Sequence, residues 1–400
     1  MLKKSERRYD IDWLRVLAVL LLIYYHAALP FVPVDWYIKD NSFSIGLSIF
    51  AGFMYQWHMP LLFFLSGAAT WFSMVNRTKE QYIKERFKRL LIPFVFGVVF
   101  IVPPQIYLSS LSQGEMLYKD AYLQFHHDFL EGKVLPVLQW SQPPLNIDWA
   151  HLWFIIYLFV FSFIALPLFL FLKRERGQRW INRIAKFSER PGAILLLGIP
   201  MATIEDTMRP FWPGSMNLYD DWANFFLFSC YFIYGYLFQT NEKFTQAIDK
   251  HGKLSLILAA LLTVMMWLGL YLSDGIPIQP FEYYLDYVIF NVLRGFSTWL
   301  WVIGILSLGR RYLNFTNPVL RYASEAGYPF YILHQTVMVG IAFWVVRWSI
   351  GIMQKYFIIS TFSLVVTLAI YELLIRRINI LRFLFGMKHK KITTTQPIHQ

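Results

Sequence analysis

Apolar runs near twenty residues long recur down almost the whole chain, and they constrain its fold more than any other feature. A helix rises about 1.5 Å per residue, so roughly 20 apolar residues cross the hydrocarbon core of a bilayer. The first run covers 11–31. Others cover 46–74, 90–109, 151–172, 191–207, 222–239, 254–273, 284–308, 326–347 and 355–375. The composition agrees: 56% of the 400 residues are hydrophobic and only 16% are charged, where a soluble domain carries about a quarter. The expected fold is an all-α integral membrane protein, about ten transmembrane helices in one bundle. The first run has no small-residue cleavage site after it and reads as a retained helix. Within the second, His58-Met59-Pro60 marks an expected break or re-entrant entry.

Charge supplies the orientation. The net charge is +12, and its positive residues fall in alternate loops. Lys3, Lys4, Arg7 and Arg8 precede the first run; six lysines and arginines fill 75–89, and seven fill 173–190. The segment 110–150 between them holds only Lys119 and Lys133. Both termini are therefore expected to be cytoplasmic. Positive charge so distributed faces membrane lipids and argues against a nucleic-acid partner. A single cysteine, Cys230, excludes an internal disulfide and a cysteine-built metal site.

Residues 1–390 read as a single multi-span domain, with 391–400 a disordered cytoplasmic tail. The one large extracytoplasmic segment, 110–150, contains His126, His127, Trp140 and Trp149. It either covers a substrate groove or caps the membrane interface with anchoring tryptophans.

Arg15 and His26 share the first run, 11 residues apart, or roughly 16 Å along a helix. Arg15 lies near the cytoplasmic end, where an arginine meets either lipid headgroups or an anionic ligand. Arg86 and Arg89 sit three apart at the start of the third run, on one helical face. Paired guanidinium forks suit phosphate arriving from the cytosol. His26 follows Tyr24-Tyr25, and His58, His151 and His334 lie in or at the edge of other runs. A neutral imidazole is tolerable in an apolar setting and is a natural intramembrane base. No pair of histidines has metal-ligand spacing, so no metal is expected.

Arg294 lies inside the eighth run, where it needs an anionic ligand or a partner such as Asp286, Glu205 or Glu325. Glu205, Asp206, Asp220 and Asp221 crowd the outer ends of the fifth and sixth runs. They either bind sugar hydroxyls and support a histidine, or form a solvated rim. Buried histidine and arginine in ten spans also suit a proton-coupled transporter of an anionic solute. Against that reading, no two halves match, and the arginine pair lies at a rim rather than at midplane.

Five motifs in order resemble a known family. The opening Arg15-x10-His26 helix, "WHMPLLFFLSG" at 57–67, Arg86-x-x-Arg89 with Leu-Leu-Ile-Pro after it, "HLWFIIYL" at 151–158 and "YPFYILHQ" at 328–335 are similar to those of membrane acyltransferase family 3. The segments 310–315 and 371–388 resemble the glucan-modifying branch of that family, whose acyl group is succinyl. The resemblance implies an O-acyltransferase that moves an acyl group, of acetyl or succinyl type, from cytosolic acyl-CoA to a hydroxyl of an extracytoplasmic glycan. It implies a bacterial plasma (inner) membrane, with acyl-CoA as co-substrate and no permanently bound cofactor. By it, His26 is the catalytic base, while Arg15, Arg86 and Arg89 hold CoA. Tyr25, His58 and Arg294 are then candidates for the oxyanion donor. His334 joins the catalytic set, and His151, Glu205, Asp221 and Arg294 the acceptor set. Partners are acyl-CoA, the glycan and lipid; self-association stays open.

Overall fold

The computed structural model describes residues 7–114, 117–118, 120–134, 147–272 and 284–389. The expectations for Trp140 and for the tail 391–400 lie outside the described residues, as does the Asp286 side chain. Every regular element among the described residues is helical. Seven helices are long and apolar enough to cross a membrane. In chain order the principal elements are α1 (Tyr9–Ala28), α2 (Ile45–Val75) and α3 (Lys79–Ser112). Next is α4, whose pieces Ala150–Ile164 and Leu166–Leu172 bend by 48°. Then come α5 (Glu175–Ser188), α6 (Ile199–Thr207), α7 (Trp222–Phe238) and α8 (Glu242–Leu272). The last are α9 (Tyr284–Tyr312), α10 (Pro318–Val345) and α11 (Ile352–Ile375).

Two expected spans differ from the periodicity. The 191–207 run is not one helix: Ala193–Leu196 ends before Gly198, and α6 starts afresh with Pro200 in its first turn. Proline has no N–H to continue the preceding helix, which explains the restart. Helix α7 has 17 residues, roughly 25 Å of length, at the short end of what crosses a bilayer. The bend in α4 falls at Pro167, for the same steric reason.

Pro60, by contrast, does not break α2. The proline removes the usual partner of the Gln56 carbonyl four residues earlier. The Thr298 hydroxyl on α9 lies 3.1 Å from that carbonyl and shares its one hydrogen between it and the Arg294 carbonyl at 2.9 Å. A neighbouring helix thus satisfies the freed group, which is what allows proline inside a spanning helix. The expected break or re-entrant entry at 58–60 is corrected accordingly.

Close backbone approach sets another crossing. A Cβ added to Gly67 would lie 1.9 Å from the Phe232 carbonyl oxygen, and one on Gly235 would lie 1.9 Å from that of Phe64. Helices α2 and α7 therefore touch backbone to backbone, and only glycine fits at either contact. Helix α5 carries much of the positive charge of 173–190. It buries Gly177, Ile181, Ala185 and Ser188 while exposing Arg176, Arg179, Arg183 and Lys186. That division suits a helix lying at a membrane surface rather than crossing it.

Candidate active site

Among the described residues the expected site residues gather around a basic cavity and a cavity lined by histidines. The basic cavity has a volume of about 780 Å³. Arg15 reaches it from α1, Arg86 and Arg89 from α3, and Arg77 from the turn between α2 and α3. Arg382 and Lys388 join from beyond α11. Two π turns, Phe87–Leu91 and Gly97–Ile101, precede Pro93 and Pro103 in α3. Such widened turns accommodate a proline that cannot donate. Arg86 and Arg89 both line the cavity despite the first of them, whereas Lys88 between them is exposed outside it.

Glu85 holds part of this charge, pairing with Arg89 at 3.2 Å and with Arg77 at 2.8 Å. Arg15 pairs with Asp12 at 3.0 Å and is 38% exposed, leaving donors free. Arg86 packs its guanidinium over the Tyr82 ring, 4.7 Å from the centroid, and its Nε has no hydrogen-bond partner. Ser324 and Tyr328, also in the lining, have unpartnered hydroxyls. The guanidinium groups of Arg15, Arg86 and Arg89 around one hollow suit an anion.

The second cavity, about 660 Å³, is lined by His26, His58, His151 and Tyr25, with Trp36 and Asp148 beside them. Tyr331 lines both cavities, and its hydroxyl donates to the His151 carbonyl.

The histidines define their own tautomers. His334 Nδ1 lies 2.7 Å from the Tyr331 carbonyl oxygen; a carbonyl only accepts, so Nδ1 carries the hydrogen. In neutral His334, Nε2 is then an acceptor. His26 Nδ1 lies 2.9 Å from that Nε2 and must be the donor. His26 Nε2 is left with its lone pair and makes no hydrogen bond among the described residues. This is the arrangement of an oriented base. His58 Nε2 donates to the Ala18 carbonyl at 2.7 Å, and His151 Nε2 to that of Ile332 at 2.9 Å. Each therefore presents an unprotonated Nδ1, and that of His151 is unpartnered.

Comparison with known proteins gives the family of the chain. The family model for the acyltransferase domain of acyltransferase family 3 matches residues 8–374. The chain belongs to acyltransferase family 3. It is a multi-pass membrane acyltransferase. The glucans biosynthesis protein C of Salmonella typhi and that of Salmonella typhimurium are each 22% identical to it over 394 residues, covering 96% of both chains. No solved structure matches it.

The sites expected of a family 3 acyltransferase fall into three groups. Arg15, Arg86 and Arg89 come together in the basic cavity. His26, Tyr25, His58 and His151 come together in the histidine cavity, with His334 fully buried behind His26. Arg294, Glu205 and Asp221 line neither cavity. Arg294 pairs with Glu205 at 3.5 Å, and Glu205 is also held by buried Arg209 at 2.8 Å. The structure thus selects Glu205, not Glu325, as partner; Glu325 pairs with Arg382 at 3.0 Å. Asp221 accepts from Tyr157, from the Ser215 N–H and from Asn224. Its oxygens are consumed in fixing the 213–224 turn.

Trp36 and Asp148 were not legible as site residues. The Trp36 ring stacks on His26 with centroids 5.3 Å apart and planes 16° from parallel. It is held there by a loop pinned at both sides. Ser109 donates to the Tyr37 carbonyl at 2.7 Å, and Lys355 of α11 pairs with buried Asp40. Asp148 is 2% exposed, accepts from the Ala150 N–H through Oδ1, and leaves Oδ2 unpartnered. Burial pushes its carboxyl up to about 6, against the backbone hydrogen bond that lowers it. The one available signal was local: an acid followed by Trp149 and His151 at the mouth of a span.

Proposed function

We propose that this acyltransferase takes an acyl group from cytosolic acyl-CoA and gives it to a hydroxyl of an extracytoplasmic glycan, in the inner membrane of a bacterium. The termini and the basic cavity then face the cytoplasm, an orientation that the positive charge of 75–89 and 173–190 supports. CoA phosphates rest on Arg86, Arg89 and Arg15. The pantetheine arm passes Tyr331 toward His26, which lies roughly 16 Å further along α1 than Arg15.

His26 Nε2 takes the proton of the acceptor hydroxyl as its oxygen attacks the thioester carbonyl carbon. The carbon–sulfur bond breaks, an ester forms, and the protonated imidazole returns the proton to the departing sulfur. His334 holds His26 in the tautomer that leaves Nε2 free. The observation that carries this reading is the His26–His334 hydrogen bond, set in a cavity that shares Tyr331 with the basic one. The relatives' printed name, glucans biosynthesis protein C, supports a glucan-type acceptor and leaves the acyl group to experiment.

The test is release of free CoA by purified protein in nanodiscs, with acetyl-CoA and succinyl-CoA offered separately, with and without a glucose oligosaccharide. Acceptor-dependent release from either donor supports the reading. Folded protein that releases no CoA, yet carries an anionic solute with protons in proteoliposomes, removes it.

A further inference from the structure

A histidine that takes a proton inside a membrane protein becomes an imidazolium, and that charge needs a counterpart. Where a base histidine leans on a carboxylate, the carboxylate supplies it. His26 has no such partner. Its Nδ1 bonds to His334, a second imidazole, and no acid is hydrogen-bonded or ion-paired to it among the described residues. Asp35 and Asp148 line the same cavity, but Asp35 is exposed and Asp148 is tied to the Ala150 N–H.

The aromatic rings beside His26 are what remains. The Trp36 ring lies against it with centroids 5.3 Å apart and planes 16° from parallel, whereas Tyr25 is tilted by 56°. A cation within about 6 Å of an indole centroid is attracted by the negative face of the ring, most strongly where water is excluded. His26 is 9% exposed. The indole is also in place before any charge develops. The Asp40 N–H donates to the Pro30 carbonyl at 3.0 Å and the Ser44 N–H to that of Phe31 at 2.9 Å, which closes the base of the loop. Lys355 ties the loop to α11 through Asp40. A group so fixed costs no reorganisation at the moment of reaction.

We propose that Trp36 is a positioning residue for the base, whose π face stabilises the imidazolium that forms when His26 takes the acceptor proton. Trp36 exchanges no proton itself: His26 Nε2 gains one from the hydroxyl and returns it to the departing sulfur. This rests on reading His26 as the base of the acyl transfer.

The test replaces Trp36 alone, in the full chain in nanodiscs, by mono-, di- and tetrafluorotryptophan. Fluorine drains the π face and leaves the size of the ring nearly unchanged. Trp36 Nε1 has no hydrogen-bond partner, so a more acidic N–H has nothing to act on. Two rates are read. One is kcat for acyl transfer. The other needs neither substrate: it is modification of His26 Nε2 by diethyl pyrocarbonate, scored on the His26 peptide by mass spectrometry. There the imidazole nitrogen attacks a carbonyl carbon and ethyl carbonate leaves, so positive charge again develops on the ring. Both rates should fall stepwise with fluorine count, about tenfold from tryptophan to the tetrafluoro ring. The KM for acyl-CoA should stay unchanged.

An indole that only fills space gives a flat series, because its packing is kept, and a flat series in either rate overturns the role of Trp36. Falling modification with no acyl transfer from any acyl-CoA keeps that role and removes the proposed reaction. Acyl transfer with a kcat indifferent to fluorine keeps the reaction and removes the role.

Discussion

His26 Nδ1 lies 2.9 Å from His334 Nε2, and the far nitrogen of His334 is tied to the Tyr331 carbonyl. The chain of bonds runs one way only, because its last acceptor is a carbonyl. It fixes which nitrogen of His26 is free, and therefore which can act.

His26→Ala should lower acyl transfer by about 10²–10⁴-fold, the usual contribution of a positioned base. Acyl-CoA binding should persist, since the arginines lie in the other cavity. Turnover and CoA affinity, measured on the same preparation, separate this from misfolding: equal loss of both would contradict the division of roles.

His334 touches no reacting atom and acts through His26. His334→Ala should lower kcat by about 10–100-fold with little change in either KM. His334→Gln offers an amide oxygen to the His26 Nδ1–H and should recover part of the loss. Rescue by Gln but not by Ala distinguishes orientation of the ring from simple filling of space.

Arg86→Ala and Arg89→Ala should each raise the KM for acyl-CoA by about 10–100-fold, as loss of a charge-assisted hydrogen bond implies. Their effects should shrink with donor analogues that lack a phosphate. Lys88→Ala, exposed outside the cavity, should leave KM unchanged. Steady-state titration of donor at fixed acceptor checks all three.

Asp148 links pH to stability. Its carboxyl is held at about 6 against an ordinary 3.8, so folding favours the protonated form. The stability this confers is complete below the ordinary value and is lost as pH rises through 6. Asp148→Asn stays neutral, so relative to wild type it should gain stability between about pH 4 and pH 8, by about 3 kcal/mol at most. Thermal melts across that range read the difference; parallel curves would contradict it.

Gly235→Ala places a Cβ 1.9 Å from the Phe64 carbonyl oxygen, where backbone meets backbone. It should cost about 1–3 kcal/mol or more and lower the melting temperature sharply. Gly340→Ala, whose nearest neighbour would be 4.0 Å away, should melt close to wild type.

The residues legible from sequence were those whose meaning is local. Arg15 and His26 share one helix, Arg86 and Arg89 share one face, and both pairs are positioned by helical rise and turn alone. His334 was singled out as a buried histidine, but its partner is 308 residues away. Arg294 illustrates the limit more plainly. Several acids were equally eligible by sequence, and only the packing of α6 against α9 selects Glu205. Trp36 and Asp148 lie outside the spanning helices, where no periodicity says which way a side chain points. The apolar composition of 191–207 carries no sign of the break at Gly198 and Pro200.

The most direct measurement is sidedness of transfer in proteoliposomes that hold the protein in one orientation. Labelled acyl-CoA is supplied only at the face carrying the basic cavity, and a neutral glucose oligosaccharide only at the other. Labelled, acylated oligosaccharide should accumulate on the acceptor side with wild type and not with His26→Ala. Acylation that requires both substrates on one face, or that survives loss of His26, would contradict transfer between two cavities through this histidine.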